Sequence, residues 1–308
     1  MANNRLSQIQ SHLGQSNSDV DPTRVDGHVI IITGAAQGIG RSAAILLAQK
    51  GARVAINDLD AAKAKEVADE VCNAGGIAAP FPGNAVDESF PDQLVREVLK
   101  KWGKINCIIN NAGMIQGFEN ERRRVTNFYL GFCHDSAIHK MTDAKFDIVM
   151  KIHNYTPFRL LRALSSHWMD PSFFEMPKSV INVSSTSGLH GAMGQINYAT
   201  AKAGIVGLTK TVASEWSRYN VRANAVAYGW IDTRITRPPT DSEVLKIGGQ
   251  DIRPGIPLNA KKWRDVSDIP LARPGSADEA ARVMLFLASP LSSYVTGTCI
   301  ECTGGRFM

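Results

Sequence analysis

Val29-Ile30-Ile31-Ile32-Thr33-Gly34-Ala35-Ala36-Gln37-Gly38-Ile39-Gly40-Arg41 is an apolar run, a glycine-rich turn and the opening of a helical pattern within thirteen residues. An uninterrupted β-branched run predicts a strand buried on both faces, as in a parallel sheet covered by helices. The glycines then permit a tight turn and let an anion approach backbone N–H groups at a helix N-terminus, whose partial positive charge favours it. Asp58 lies 18 residues beyond Gly40, at the end of the next apolar run. That is close to the spacing at which an acidic residue meets the ribose of a dinucleotide bound on such a turn.

Outward from this unit, apolar runs at 54–56, 77–81, 105–109, 180–183 and 221–226 alternate with helical patterns at 41–50, 61–73, 91–102, 145–168 and 198–219. Such alternation predicts an α/β fold: one doubly wound parallel sheet of Rossmann type with helices on both faces. Residues 1–24 are a polar N-terminal extension and 25–308 form the domain. Residues 234–270, with five prolines, Gly248 and Gly249, are expected to form a lid over the site. Lys plus Arg number 34 against 29 Asp plus Glu, and no basic run is dense enough for a nucleic-acid face. An odd count of five cysteines argues against a disulfide framework, and Cys299-x-x-Cys302 has no second pair, so no metal is expected. No apolar stretch is long enough to span a membrane.

Ser184-Ser185 closes the strand at 180–183, and Tyr198 and Lys202 follow at helical spacing i, i+4, which puts both on one face. Oxidising an alcohol needs a group to take the hydroxyl proton as hydride leaves; reduction needs the same group as an acid. A tyrosine, with an ordinary pKa of about 10, is a poor base at neutral pH unless a nearby ammonium favours its phenolate.

Gly34-x-x-x-Gly38-x-Gly40, Asn110-Asn111-Ala112-Gly113, Ser185 and Tyr198-x-x-x-Lys202 in this order resemble the short-chain dehydrogenase/reductase family. The resemblance implies a catalytic set of Ser185, Tyr198 and Lys202, with Lys202 also on the nicotinamide ribose. It implies a cofactor shell of Thr33, Gly34, Gln37, Gly38, Ile39, Gly40, Asp58, Asn84, Asn111, Ala112, Gly113, Tyr198, Lys202, Gly229, Ile231 and Thr233. Asp58 accepts ribose hydroxyls and repels a 2′-phosphate, and neither Gln37 nor Leu59 adds a basic group there, so NAD is expected over NADP. Substrate contacts are expected from His190, Gln195, Tyr228 and Trp230, with Met193 beside them; Lys261, Lys262 and Arg264 on the lid are candidates for coenzyme A phosphates. The family's homotetramer or homodimer is expected, built on the two long helices.

Three features depart from the family pattern. Tyr228 stands where a proline is usual, and His153 stands where a relay asparagine is usual; His153 is expected to support a water linking Lys202 to solvent. Residues 114–131, with Arg122-Arg123-Arg124, interrupt a match that otherwise continues at Phe132. They read either as an evolved loop or as a translated retained intron. The second reading rests on codons: Gly113-Met114 can be encoded with a GTATG donor, Thr126-Asn127 as ACTAAC, and Leu130-Gly131 with a TTAG acceptor.

Arg5-Leu6, five residues, then His12-Leu13 resembles an N-terminal peroxisomal signal. Leu6, Ile9 and Leu13 would share one helical face. The expected location is therefore the peroxisome, through an import receptor, and otherwise the cytoplasm. The expected activity is hydride transfer between NAD(H) and a secondary alcohol or ketone, with a 3-hydroxyacyl or 3-oxoacyl thioester as substrate. A tailoring ketoreductase of secondary metabolism and a catalytically silent cofactor-binding protein are the alternatives.

Overall fold

The computed structural model describes residues 21–113, 136–234, 236–237 and 265–308, and the backbone of 245–247 and 250–252. The peroxisomal-type signal, the whole of 114–131, and Lys261, Lys262 and Arg264 lie outside the described residues.

Seven parallel strands form the central sheet: β1 Val29–Thr33, β2 Arg53–Asn57, β3 Ile77–Pro80, β4 Cys107–Asn110, β5 Lys178–Ser185, β6 Val221–Tyr228 and, at the far edge, Cys299–Cys302. The last is β11, since four short strands intervene: β7 Ile231–Asp232, β8 Leu245–Ile247, β9 Gln250–Ile252 and β10 Gly275–Ser276. The order is β11-β6-β5-β4-β1-β2-β3. The chain reverses direction across the sheet between β1 and β4, which opens a crevice at the strands' carboxyl ends.

Strand alternation sorts the core into two layers. Ile30, Ile32, Val54, Ile56, Cys107, Ile109, Ile181 and Val226 face α1 Gly38–Gln49 and α2 Ala61–Asn73. Val29, Ile31, Ala55, Ile108, Val180 and Ala223 face α3 Phe90–Trp102 and the helices that follow β4 and β5.

The single helix expected at 145–168 is three pieces: α4 Asp143–Met150, a π-helical turn Lys151–Tyr155, and α5 Thr156–Trp168. Pro157 has no N–H to give the carbonyl four residues back, that of His153, so the α ladder cannot run through this point. After β5 come the short α6 Thr186–His190 and the long α7 Ile196–Trp216. A further helix, α8 Ala277–Ala288, was not expected from the pattern. It starts with a full capping box, Ser276 accepting from the Glu279 N–H while Glu279 accepts from that of Ser276. Its buried Ala280, Ala281, Met284, Leu285, Leu287 and Ala288 join the α1 layer.

The last strand is confined to Cys299–Cys302, because a 3₁₀ turn at Pro290–Ser292 and a left-handed Gly297 precede it. Cys299 and Cys302 are three apart on a strand and so face opposite sides; burial raises both thiols' pKa. No His/Cys/Asp/Glu cluster suited to a metal exists among the described residues, and no helix there is long and apolar enough to cross a membrane. β7 pairs in parallel with β10, so the chain leaves for residues 233–274 and returns at one place. Within that excursion β8 and β9 form an antiparallel hairpin.

Candidate active site

The glycine turn is held from beneath. Gly34 and Gly38 adopt φ of +64° and +55°, the left-handed region that favours glycine. Asn111 Nδ2 donates to the carbonyls of Thr33 and Gly34, both at 3.0 Å. Thr33 Oγ1 accepts from the N–H groups of Asn111 at 3.1 Å and Ala112 at 2.9 Å. A Cβ on Gly40 would stand 2.2 Å from the Gly34 carbonyl oxygen, so the turn is closed against its own helix. Helix α1 has no acidic residue in its first turn, and the Gln37 side chain does not cap it. Its N-terminal dipole is therefore available to an anion.

Asp58 follows directly on β2, facing this turn: one carboxylate oxygen accepts from the Ala36 N–H at 3.1 Å and the other from the Asp60 N–H at 3.2 Å. Asn84 is occupied locally. Its amide donates to Asp87 and its carbonyl accepts from the Val86 N–H, so the side chain closes a turn after β3.

Across the crevice, β5 and α7 are locked together. Ser184 Oγ donates to the Lys202 carbonyl at 2.7 Å, and Lys202 Nζ donates to the Val183 carbonyl at 2.7 Å. The Lys202 ammonium lies 5.5 Å from the centre of the Tyr198 ring. Ser185 ends β5 and accepts from the Ser187 N–H at 3.2 Å. A Cβ on Gly188 would meet the Lys202 carbonyl carbon at 2.5 Å, so only glycine lets α6 sit this close to α7.

His153, in the π-helical turn, is only 3% exposed and lies edge-on to Tyr198, with ring centres 5.3 Å apart at 78°. Burial, then the Lys202 charge, holds its pKa well below the ordinary histidine range, so it is neutral. Neither ring nitrogen has a hydrogen-bond partner among the described residues. Neighbouring Asn154 faces another part of α7, donating to the Ala201 carbonyl at 3.0 Å and touching Gly204.

The chain after β6 closes over the crevice. Gly229 donates to the Cys302 carbonyl at 3.1 Å, Ile231 is buried, and Thr233 sets its methyl 3.6 Å from the Cβ position of Gly38. The indole N–H of Trp230 is buried without a partner among the described residues.

The expected substrate residues do not converge. Tyr228 is not on the pocket floor: it shares a sheet face with Val226, lies buried in the α1/α8 layer and donates its hydroxyl to the Ala280 carbonyl at 2.9 Å. Burial, with a smaller contribution from Cys302, pushes its phenol well above the ordinary range. Gln195 is 2% exposed and accepts from the Ser187 hydroxyl at 2.9 Å, bracing the turn after Ser185 rather than presenting a surface. His190 sits 3.1 Å from Glu301 and stacks on Phe307, with ring centres 4.5 Å apart at 15°. The pattern reading missed this role of the C-terminus, and it missed Arg234, which donates to Gln37 Oε1 at 2.9 Å. Neither contact leaves a periodic or spacing signal.

The family profile described as enoyl-(acyl carrier protein) reductase matches residues 34–306. A Thermotoga maritima protein named 3-oxoacyl-[acyl-carrier-protein] reductase is 33% identical over 282 residues, covering 92% of this chain and 98% of its own. Two solved structures share the fold at a TM-score of 0.75 and 24% identity: a 7α-hydroxysteroid dehydrogenase complexed with NADH and 7-oxoglycochenodeoxycholic acid, and a Burkholderia cenocepacia gluconate 5-dehydrogenase with NADP and tartrate. They cover 92% and 93% of this chain and 96% and 97% of their own.

Proposed function

This chain belongs to the short-chain dehydrogenase/reductase family and is an oxidoreductase of CH–OH groups, and from that premise we propose that it couples NAD(H) to a 3-hydroxyacyl/3-oxoacyl thioester. The observation that carries the reading is that α7 sets the Tyr198 ring 5.5 Å from the Lys202 ammonium, while the Lys202 carbonyl is bonded to Ser184, the residue before Ser185 at the end of β5. The residues fit a nicotinamide dinucleotide. A glycine turn with an uncapped helix faces a seated carboxylate at one end, and at the other His153 packs against Tyr198 with buried ring nitrogens that have no partner among the described residues. When bound, the cofactor supplies the hydride acceptor or donor.

The chain's own residues handle the proton. Tyr198 takes it from the substrate hydroxyl in oxidation and returns it in reduction, while Ser185 holds the same oxygen. Lys202 favours the phenolate through its charge. Neutral His153 adds no second cation beside it and walls the phenol from bulk water.

Asp58 supports NAD over NADP, since its carboxylate is already oriented by Ala36 and Asp60 and a 2′-phosphate would meet it as a like charge. The thioester is supported by the named activity of the Thermotoga maritima relative. A homo-oligomer built on the long helices is supported by exposed Tyr155 and Phe158. Import into peroxisomes is supported by the spacing of Arg5-Leu6 and His12-Leu13, and a fluorescent fusion of the full chain, with and without residues 1–20, tests it.

The enzymatic reading is tested with a panel of 3-hydroxyacyl-CoA substrates and NAD, following NADH formation. Turnover lost in Tyr198→Phe supports it; cofactor binding without turnover of any chain length contradicts the substrate class.

A further inference from the structure

We infer that residues 303–308 form a clasp that positions the substrate side of the site, with Phe307 a positioning residue for Ser185; the kinetic part of this inference rests on the thioester reading above. Ser185 is the N-cap of α6, and its hydroxyl accepts from the Ser187 N–H at 3.2 Å. A helix of five residues is too short to be stable by itself. Where Ser185 stands therefore depends on what grips α6 from outside. Its middle is tied to α7, by the Ser187 hydroxyl on Gln195 and by the close approach of Gly188 to Lys202. Its last residue is tied elsewhere. His190 Nε2 lies 3.1 Å from Glu301 Oε2 on β11, and its ring stacks on that of Phe307, with centres 4.5 Å apart at 15°.

Residues 303–308 reach His190 by turning sharply. Gly304, Gly305 and Phe307 adopt φ of +67°, +92° and +69°. Glycine takes up such angles freely, whereas in phenylalanine they must be imposed by the surroundings. The turn closes on 268–271. The Gly304 carbonyl accepts from the Leu271 N–H at 3.1 Å, the Arg306 guanidinium pairs with Asp268, and a Cβ on Gly305 would stand 2.9 Å from Pro270 Cγ. The same guanidinium lies over the Phe307 ring, 5.4 Å from its centre. Residues 268–271 belong to the limb by which the 233–274 excursion returns to β10, beside β7. One short segment thus grips both that limb and the helix that opens on Ser185. Neither the His190 nor the Phe307 ring is placed on the reacting atoms; both act through α6.

The test uses the full chain as wild type, F307L, F307Y, H190L and the double variant H190L/F307L. Steady-state kinetics employ NAD and the 3-hydroxyacyl-CoA that the wild type turns over fastest, with NADH titrations, melting curves and peptide-level hydrogen exchange alongside. F307L should lower kcat/KM for the thioester by about twofold or more, up to about tenfold, the size of a lost aromatic contact. NADH affinity and melting temperature should stay as in wild type, and F307Y, which keeps the ring, should restore kcat/KM. The double variant should be no worse than H190L, since both changes remove one stack. Exchange should quicken in F307L at 186–191 and at 268–271 together. A wild type that turns over none of the thioesters, with exchange quickened at both places in F307L, leaves the clasp standing and sinks the thioester reading. The inference is overturned if F307L lowers kcat/KM by less than about twofold, if F307Y fails as F307L does, or if the two single losses add. It is overturned equally if exchange at 186–191 keeps the wild-type rate, or if F307L loses melting temperature and NADH affinity along with turnover, since the ring then serves the fold as a whole.

Discussion

The two ends of the crevice are built differently. At the β1–α1 end the turn is set by backbone: left-handed glycines, the Thr33 and Gly34 carbonyls taken by Asn111, and no room for a Cβ at Gly40. At the β5–α7 end side chains converge, Lys202 and His153 both lying against the Tyr198 ring, and His153 keeps buried nitrogens without partners among the described residues. A buried polar atom left unsatisfied costs stability, so this end keeps hydrogen-bonding capacity that the described residues do not use, whereas the shape of the glycine turn is set by the fold itself. The contrast predicts different failures: changes at the β5–α7 end should cost rate, and changes at the β1–α1 end should cost fold or affinity.

Tyr198→Phe should break the contrast most sharply if it is wrong. Rapid kinetics with saturating NAD should show kcat lower by roughly 10²- to 10⁴-fold, the contribution of a positioned acid–base group. NADH affinity and melting temperature should be unchanged; a variant with near-normal kcat removes Tyr198 from proton transfer. Gly40→Ala should act the opposite way. Its Cβ meets the Gly34 carbonyl at 2.2 Å and Asn111 Nδ2 at 2.6 Å, an overpacking that costs about 3 kcal/mol. Chemical denaturation should register that loss, together with weak NADH binding; wild-type stability would show the turn to be pliable.

Asp58→Ala sharpens the comparison within the turn itself. The ratio of NADPH to NADH dissociation constants should fall by about tenfold or more as a charge-assisted contact and a like-charge repulsion both go. A constant ratio would leave Asp58 a turn former only.

His153→Phe should have the smallest effect, visible against pH. The folded-state pKa of His153 lies well below its ordinary 6.5. Protons therefore bind the unfolded chain more readily, and the group's stabilisation is present above about pH 6.5 and lost as pH falls below it. His28 and His167 are shifted in the same direction, both first by burial, so the variant should show a shallower acid slope rather than a flat one. Denaturation midpoints across pH 5–7 that match wild type would place the imidazole in contact with water.

The same asymmetry governs what the amino-acid sequence discloses. The β1–α1 unit is legible because one short segment holds strand, turn and helix, and Asp58 follows at a fixed spacing. Tyr198 and Lys202 are legible because one helical turn joins them. Tyr228 misleads because a family position specifies backbone, whereas strand alternation, shared with Val226, aims the side chain at Ala280. Gln195 and His190 misleads in the same way: proximity to Ser185 in sequence says nothing of the Ser187 hydroxyl or the Phe307 ring that engage them. The break in the helix at 151–155 was signalled by Pro157, whose lost N–H is a local fact. Helix α8 carries a local signal in Ser276 and Glu279, the two ends of its capping box, although the alternation traced along the sequence stops at 221–226. The bond from Arg234 to Gln37 had no local signal, since only the folded sheet brings those positions together.

The most direct test of the central claim is a titration of the full-length protein with NADH and with NADPH, followed through the fluorescence of its five tryptophans. Saturable quenching by NADH, with NADPH weaker by about tenfold or more, is the result expected of a β1–α1 end shaped by the fold with Asp58 at its rim. No response to either dinucleotide would contradict the account, because a cradle whose shape the fold sets would then have nothing to hold.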